Sequence, residues 1–128
     1  MRRPLDEVPM RILLMVALLP ASFALSGCGD PVSCQTACQR AFRSNECNLR
    51  VPGRDQDRLV RDCTRECERA LRETGPVGNY DPNDRNSIDR SEPFTLQNEK
   101  QAALWIDCVI ETSCPDLNNG FCPGGGIN

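Results

Sequence analysis

Nine cysteines in 128 residues limit what this chain can fold into more than any other feature. Cysteine at this density belongs to small exported domains in an oxidising compartment, where disulfides supply what a large core would otherwise provide. Apolar bulk is thin, with four Phe, one Tyr and one Trp. One small domain is expected at this length, stapled because so little apolar surface can be buried. There is no histidine, which removes the commonest general base and the commonest metal ligand.

The amino-terminal segment accounts for one cysteine. Arg2, Arg3 and Arg11 give a basic start, diluted by Asp6 and Glu7, and the run from Ile12 to Leu25, "ILLMVALLPASFAL", carries no charge. Its fourteen residues are short for a membrane-spanning helix and fit the apolar region of a secretory signal. Pro20 inside the run also argues against a permanent straight span.

The run ends in Leu25-Ser26-Gly27-Cys28, which resembles the lipobox of bacterial lipoproteins. The resemblance covers the first 28 residues. It implies cleavage between Gly27 and Cys28, a diacylglyceryl group on the Cys28 thiol and acylation of the new amino terminus. Two or three acyl chains of the palmitate class hold a protein on a membrane effectively permanently, whereas one chain binds marginally. The residue after Cys28 is Gly29 rather than Asp, which under sorting of the enterobacterial kind resembles an address on the outer membrane of a Gram-negative bacterium. Loss of residues 1–27 removes three arginines and two acids and leaves twelve basic against sixteen acidic residues, a net charge of −4. Such a domain has no electrostatic attraction for nucleic acid or for anionic headgroups.

Eight cysteines remain: Cys34, Cys38, Cys47, Cys63, Cys67, Cys108, Cys114 and Cys122. An even number in an exported domain fits four disulfides. Asp30-Pro31 reads as a helix start, after which Cys34, Ala37, Cys38, Ala41 and Phe42 share one helical face. Residues 50–56, "RVPGRDQ", form a turn. A second helix follows from about Asp55 or Asp57 to Thr74, with Leu59, Val60, Cys63, Cys67, Ala70 and Leu71 as its apolar stripe, and Gly75-Pro76 stops it. Each helix thus carries a C-x-x-x-C pair on its buried side. Antiparallel packing sets Cys34 against Cys67 and Cys38 against Cys63, and the alanines let the backbones approach to disulfide distance. The pattern looks like the twin C-x-x-x-C hairpins of small mitochondrial intermembrane-space chaperones. That likeness covers residues 34–67, with a longer spacer here, and implies geometry and not function.

Residues 75–93 read as a polar loop. Within it Asp81 to Glu92 partly fits a twelve-residue calcium loop, but Arg85 occupies a ligand position, Asn86 stands where a glycine is wanted, and no helix immediately precedes it. A solvated loop is the expectation. Thr95 is expected to cap a third helix ending near Thr112, with Trp105 as the main core plug rather than an exposed anchor. The Pro/Gly-rich tail is expected to be irregular, with Cys114–Cys122 closing a local loop and Cys47–Cys108 stapling helix three to the hairpin.

The expected fold is therefore all-α: a signal peptide at 1–27, a lipid-anchored tether at 28–33, and one disulfide-rich helical domain at 34–128. Neither a nucleophile elbow nor a phosphate loop is present, since the terminal "CPGGGIN" lacks both a lysine and a following helix. The chain reads as a non-catalytic envelope module with no cofactor and no metal, bound to the membrane through lipid and to an envelope protein close to that membrane. Cysteine count alone supports the alternative, a thiol-disulfide or metal-handling envelope protein.

Overall fold

The computed structural model describes residues 32–89 and 94–127. They form four helices: α1 (Cys34–Phe42), α2 (Gln56–Ala70), α3 (Glu99–Glu111) and the short α4 (Cys114–Asn118). No strand occurs among the described residues; a single bridge pairs Gly124 with Ile127. The all-α expectation holds.

Each helix starts on a polar cap that satisfies an otherwise orphaned N–H. The Ser33 hydroxyl accepts from the Thr36 N–H, and the Asp55 carboxylate accepts from the Arg58 N–H at 2.8 Å. The cap of α1 is thus Ser33; the expected pair Asp30-Pro31 lies outside the described residues. Helix α2 is amphipathic in the simplest way. Leu59, Cys63, Cys67 and Ala70 are buried at helical spacing, while Arg58, Asp62 and Arg65 ion-pair along the outer face. It ends at Ala70 rather than Thr74, so Leu71 lies past the buried stripe and is 42% exposed.

The cap of α3 is Asn98, not Thr95. Its side-chain carbonyl accepts from the Lys100 and Gln101 N–H groups, and its amide donates to the Pro76 carbonyl at 2.9 Å. The helix starts late because α2 claims the preceding backbone. The Leu96 N–H donates to the Glu66 carboxylate at 2.9 Å, and the Arg69 guanidinium donates to the Leu96 carbonyl. Residues 94–97 are held as a non-helical strap, and the Leu96 side chain is fully buried.

The hairpin closes through the expected rungs, Cys34–Cys67 and Cys38–Cys63, with Cα atoms 5.7 Å and 5.9 Å apart. Ala37, Ala41 and Ala70 are fully buried beside them. The other two bridges differ from the expected pairing: they are Cys47–Cys114 and Cys108–Cys122, not Cys47–Cys108 and Cys114–Cys122. Two contacts explain the exchange. The Arg40 guanidinium donates to the carbonyls of Val109 (2.9 Å) and Thr112 (3.1 Å). This docks the C-terminal end of α3, not its middle, beside the turn that follows α1, and so delivers Cys114 to Cys47. Beyond it, Ser113 caps α4 with Pro115 in the first turn, so the segment expected to be irregular is helical just past Cys114. The tail then returns under α3, where the Cys122 carbonyl accepts from the Trp105 indole N–H at 3.1 Å, leaving Cys122 against Cys108.

Trp105 is the centre of the core at 0% exposure. Gly124 and Gly125 lie against its ring. A Cβ on Gly125 would stand 2.6 Å from the Trp105 Cζ2 atom, and the residue's φ of +58° is one that side chains rarely adopt. Gly124 and Ile127 exchange two backbone hydrogen bonds of 2.9 Å each, closing the tail into a turn whose Ile127 is also buried.

Two substitutions test this packing in the oxidised protein by denaturant unfolding. Trp105→Ala is expected to cost about 3–5 kcal/mol. Gly125→Ala adds one methyl group to a filled, left-handed site and is expected to cost about 1–3 kcal/mol. A change below ~0.5 kcal/mol at Gly125 is what an ordinary surface position gives and contradicts the glycine lid.

Candidate functional site

The eight described cysteines are all consumed in bridges. Cys114 is partly exposed and the other seven are buried. Among the described residues no three His, Cys, Asp or Glu side chains converge where they could hold a metal ion. None of the described helices is long and apolar enough to cross a membrane. Gly27 and Cys28, where cleavage and lipidation are expected, lie outside the described residues, as does Glu92 at the end of the calcium-like segment.

The described residues of that segment, 81–89, form local bonds. The Asp81 carboxylate accepts from the Asn83 N–H and the Asp84 carboxylate from the Asn86 N–H, each at 2.9 Å. The Ser87 hydroxyl donates to the Asp81 carbonyl at 2.6 Å. These side-chain-to-backbone turns orient the two carboxylates toward their own loop. Arg85 lies over the Phe121 ring, 5.6 Å from its centre, and the Pro82 carbonyl accepts from the Cys122 N–H at 3.0 Å. The loop is therefore tied to the tail.

Tyr80 anchors the same loop. Its hydroxyl donates to the Pro123 carbonyl at 2.8 Å, and its ring stacks on Phe94 with centres 4.9 Å apart. Burial, and after it the charges of Asp81 and Glu66, raise the Tyr80 pKa far above the ordinary tyrosine value.

An apolar concavity lies elsewhere, at the end of the hairpin where α1 begins and α2 ends. It is a groove of about 570 Å³ lined by Val32, Gln35, Glu68, Leu71, Ile106 and Asp107 among others. Three large apolar side chains are exposed among the described residues, and two of them, Val32 (58%) and Leu71 (42%), line this groove. The third, Leu104, neighbours the lining residue Ala103. Leu71 reads as core from its place in the α2 stripe; the only cue to its exposure is its position after Ala70, just before the Gly75-Pro76 stop.

No protein-family model, curated protein or solved structure matches the chain.

The Tyr80 environment predicts an alkaline limit to stability. The folded state favours the neutral phenol, so this contribution is complete below the unfolded tyrosine pKa of about 10 and declines as pH rises above it. The protein has one tyrosine, so the ultraviolet band of tyrosinate reports it directly. In a brief alkaline titration, ionisation is expected only together with unfolding. Tyr80→Phe is expected to flatten the decline above pH ~10 and to cost about 1 kcal/mol at neutral pH through the lost hydrogen bond. Reversible ionisation near pH 10 in the folded protein contradicts the buried contact.

Proposed function

We propose that this chain is a bacterial lipoprotein whose folded part is a non-catalytic module held at a membrane of the cell envelope. In this reading residues 1–27 are a signal peptide, Cys28 carries the lipid and becomes the amino terminus, residues 28–33 are the tether, and residues 34–128 form the module. One observation carries it. All eight described cysteines pair with one another, and the ninth, Cys28, is the cysteine of the Leu25-Ser26-Gly27-Cys28 box.

The tether supports a role at the membrane surface. From Cys28 to Cys34, the first residue of α1, there are six residue steps, which span about 20 Å at full extension. A module on so short a lead works on partners at or near the same membrane. Gly29 in place of Asp supports the outer membrane as the address. The absence of histidine and the local use of the Asp81 and Asp84 carboxylates favour a structural or partner-binding role over an enzymatic one.

Expression of the full chain in a Gram-negative host tests this with one substitution. The wild-type protein is expected in the membrane fraction, with an intact mass that begins at Cys28 and includes acyl groups. Cys28→Ser is expected to release it from the membrane and to retain four disulfides. A soluble wild-type protein without acyl mass contradicts the anchor. A labile disulfide pair or bound zinc in the purified protein favours the thiol-disulfide or metal-handling alternative instead.

A further inference from the structure

We infer that the groove at the start of α1 is a lipid-contacting face, and that Val32 and Leu71 rest against the bilayer that carries the anchor. The inference rests on the lipid anchor proposed above and adds an orientation and a contact surface to it.

Covalent reach is the first argument. Val32 lies four residue steps from Cys28, at most about 14 Å along an extended chain. That reach is little more than the width of one α-helix with its side chains, about 10–12 Å, so the chain itself keeps the groove mouth close to the membrane surface.

The second argument is chemical. The hairpin ladder sets the start of α1 beside the end of α2, so Val32 and Leu71 meet at the anchored end. Two of the three exposed large apolar side chains collect there. Val32 and Leu71 thus line one concavity instead of standing singly on the surface. The turn at the opposite end of the hairpin forms a concavity too, but there Arg50 and Arg54 stand beside Val51 and Pro52. Helix α2 has 15 residues, which places that turn about 22 Å from Leu71 along the helix axis.

The third argument sets the lipid class. Glu68 and Asp107 stand among the groove residues, so the face repels anionic headgroups and accepts zwitterionic ones whose ammonium groups meet the two carboxylates. Apolar side chains between carboxylates at headgroup depth fit a phosphatidylethanolamine or phosphatidylcholine surface.

Fluorescence quenching tests the orientation. The acylated protein is reconstituted into phosphatidylcholine vesicles whose chains carry bromine, a short-range quencher of tryptophan. Trp105 is fully buried and gives the background in the wild type. Leu71→Trp and Val32→Trp place the probe at the groove, and Arg54→Trp places it at the far turn. Intact mass confirms acylation and four bridges in each. Quenching at positions 71 and 32 is expected to exceed that at 54 at least twofold, and to fall when half of the lipid is phosphatidylglycerol. Equal quenching at the two ends, on protein whose mass includes the acyl groups, overturns the orientation and leaves the anchor standing. Absence of acyl mass overturns the anchor and the orientation together.

Discussion

The two disulfide rungs between α1 and α2 are the constraint on which everything else in this fold depends. Each closes a loop of 25 or 33 residues, which the chain-entropy account values at roughly 3.5 kcal/mol apiece. Their geometric effect is as important. Cα separations under 6 Å require backbones closer than large side chains allow, and Ala37, Ala41 and Ala70 meet that requirement at complete burial. A hairpin so tightly joined has little apolar volume of its own. It offers instead a rigid surface against which α3 packs, with Trp105 supplying most of the missing bulk.

Side chains of the hairpin also arrange the chain around that surface. Glu66 and Arg69 of α2 bind both backbone groups of Leu96, fixing the approach to α3. Arg40 of α1 binds the carbonyls at the other end of α3, where a cation also meets the negative end of the helix dipole. With both ends set, the tail runs back beneath Trp105, where a Cβ on Gly124 or Gly125 would crowd the ring. These two glycines, which could pass for part of a flexible terminus, are packing elements. The Cys47–Cys114 bridge spans 67 residues and ties the turn after α1 to α4.

The parts of this architecture that were legible from sequence are those with a local period. Two C-x-x-x-C pairs, each followed or flanked by small residues at helical spacing, specify the ladder without knowledge of anything distant. The remaining cysteines carry no such period. Whether Cys108 meets Cys47 or Cys122 depends on which end of α3 docks against α1, and Arg40, a surface-looking arginine in α1, decides it through bonds to residues 69 and 72 positions away. Thr95 has the right chemistry for a cap and loses to Asn98, because α2 holds both backbone groups of Leu96. The groove is hidden in the sequence for a related reason. Leu71 continues the apolar stripe of α2 by spacing, but the helix stops one residue short, and the side chain falls on the open end of the hairpin instead of the core.

Function follows from where the covalent framework meets the proposed anchor. The ladder begins six residues after Cys28, so the end of the molecule stiffened by the Cys34–Cys67 rung is also the end nearest the membrane in this reading. A rigid module on a short lead presents a fixed face outward, which suits holding a partner in place more than reaching for one. The bridge network underlies all of this, and disulfide mapping of the unreduced protein tests it most directly. Cleavage at Arg43, Arg54, Arg72, Glu111 and Asp116 separates Cys38 from Cys47, Cys47 from Cys63, Cys67 from Cys108, Cys108 from Cys114, and Cys114 from Cys122. The account predicts the Cys47 peptide joined to the Cys114 peptide, and the Cys108 peptide joined to the Cys122 peptide. A peptide pair joining Cys114 to Cys122, or Cys47 to Cys108, contradicts it.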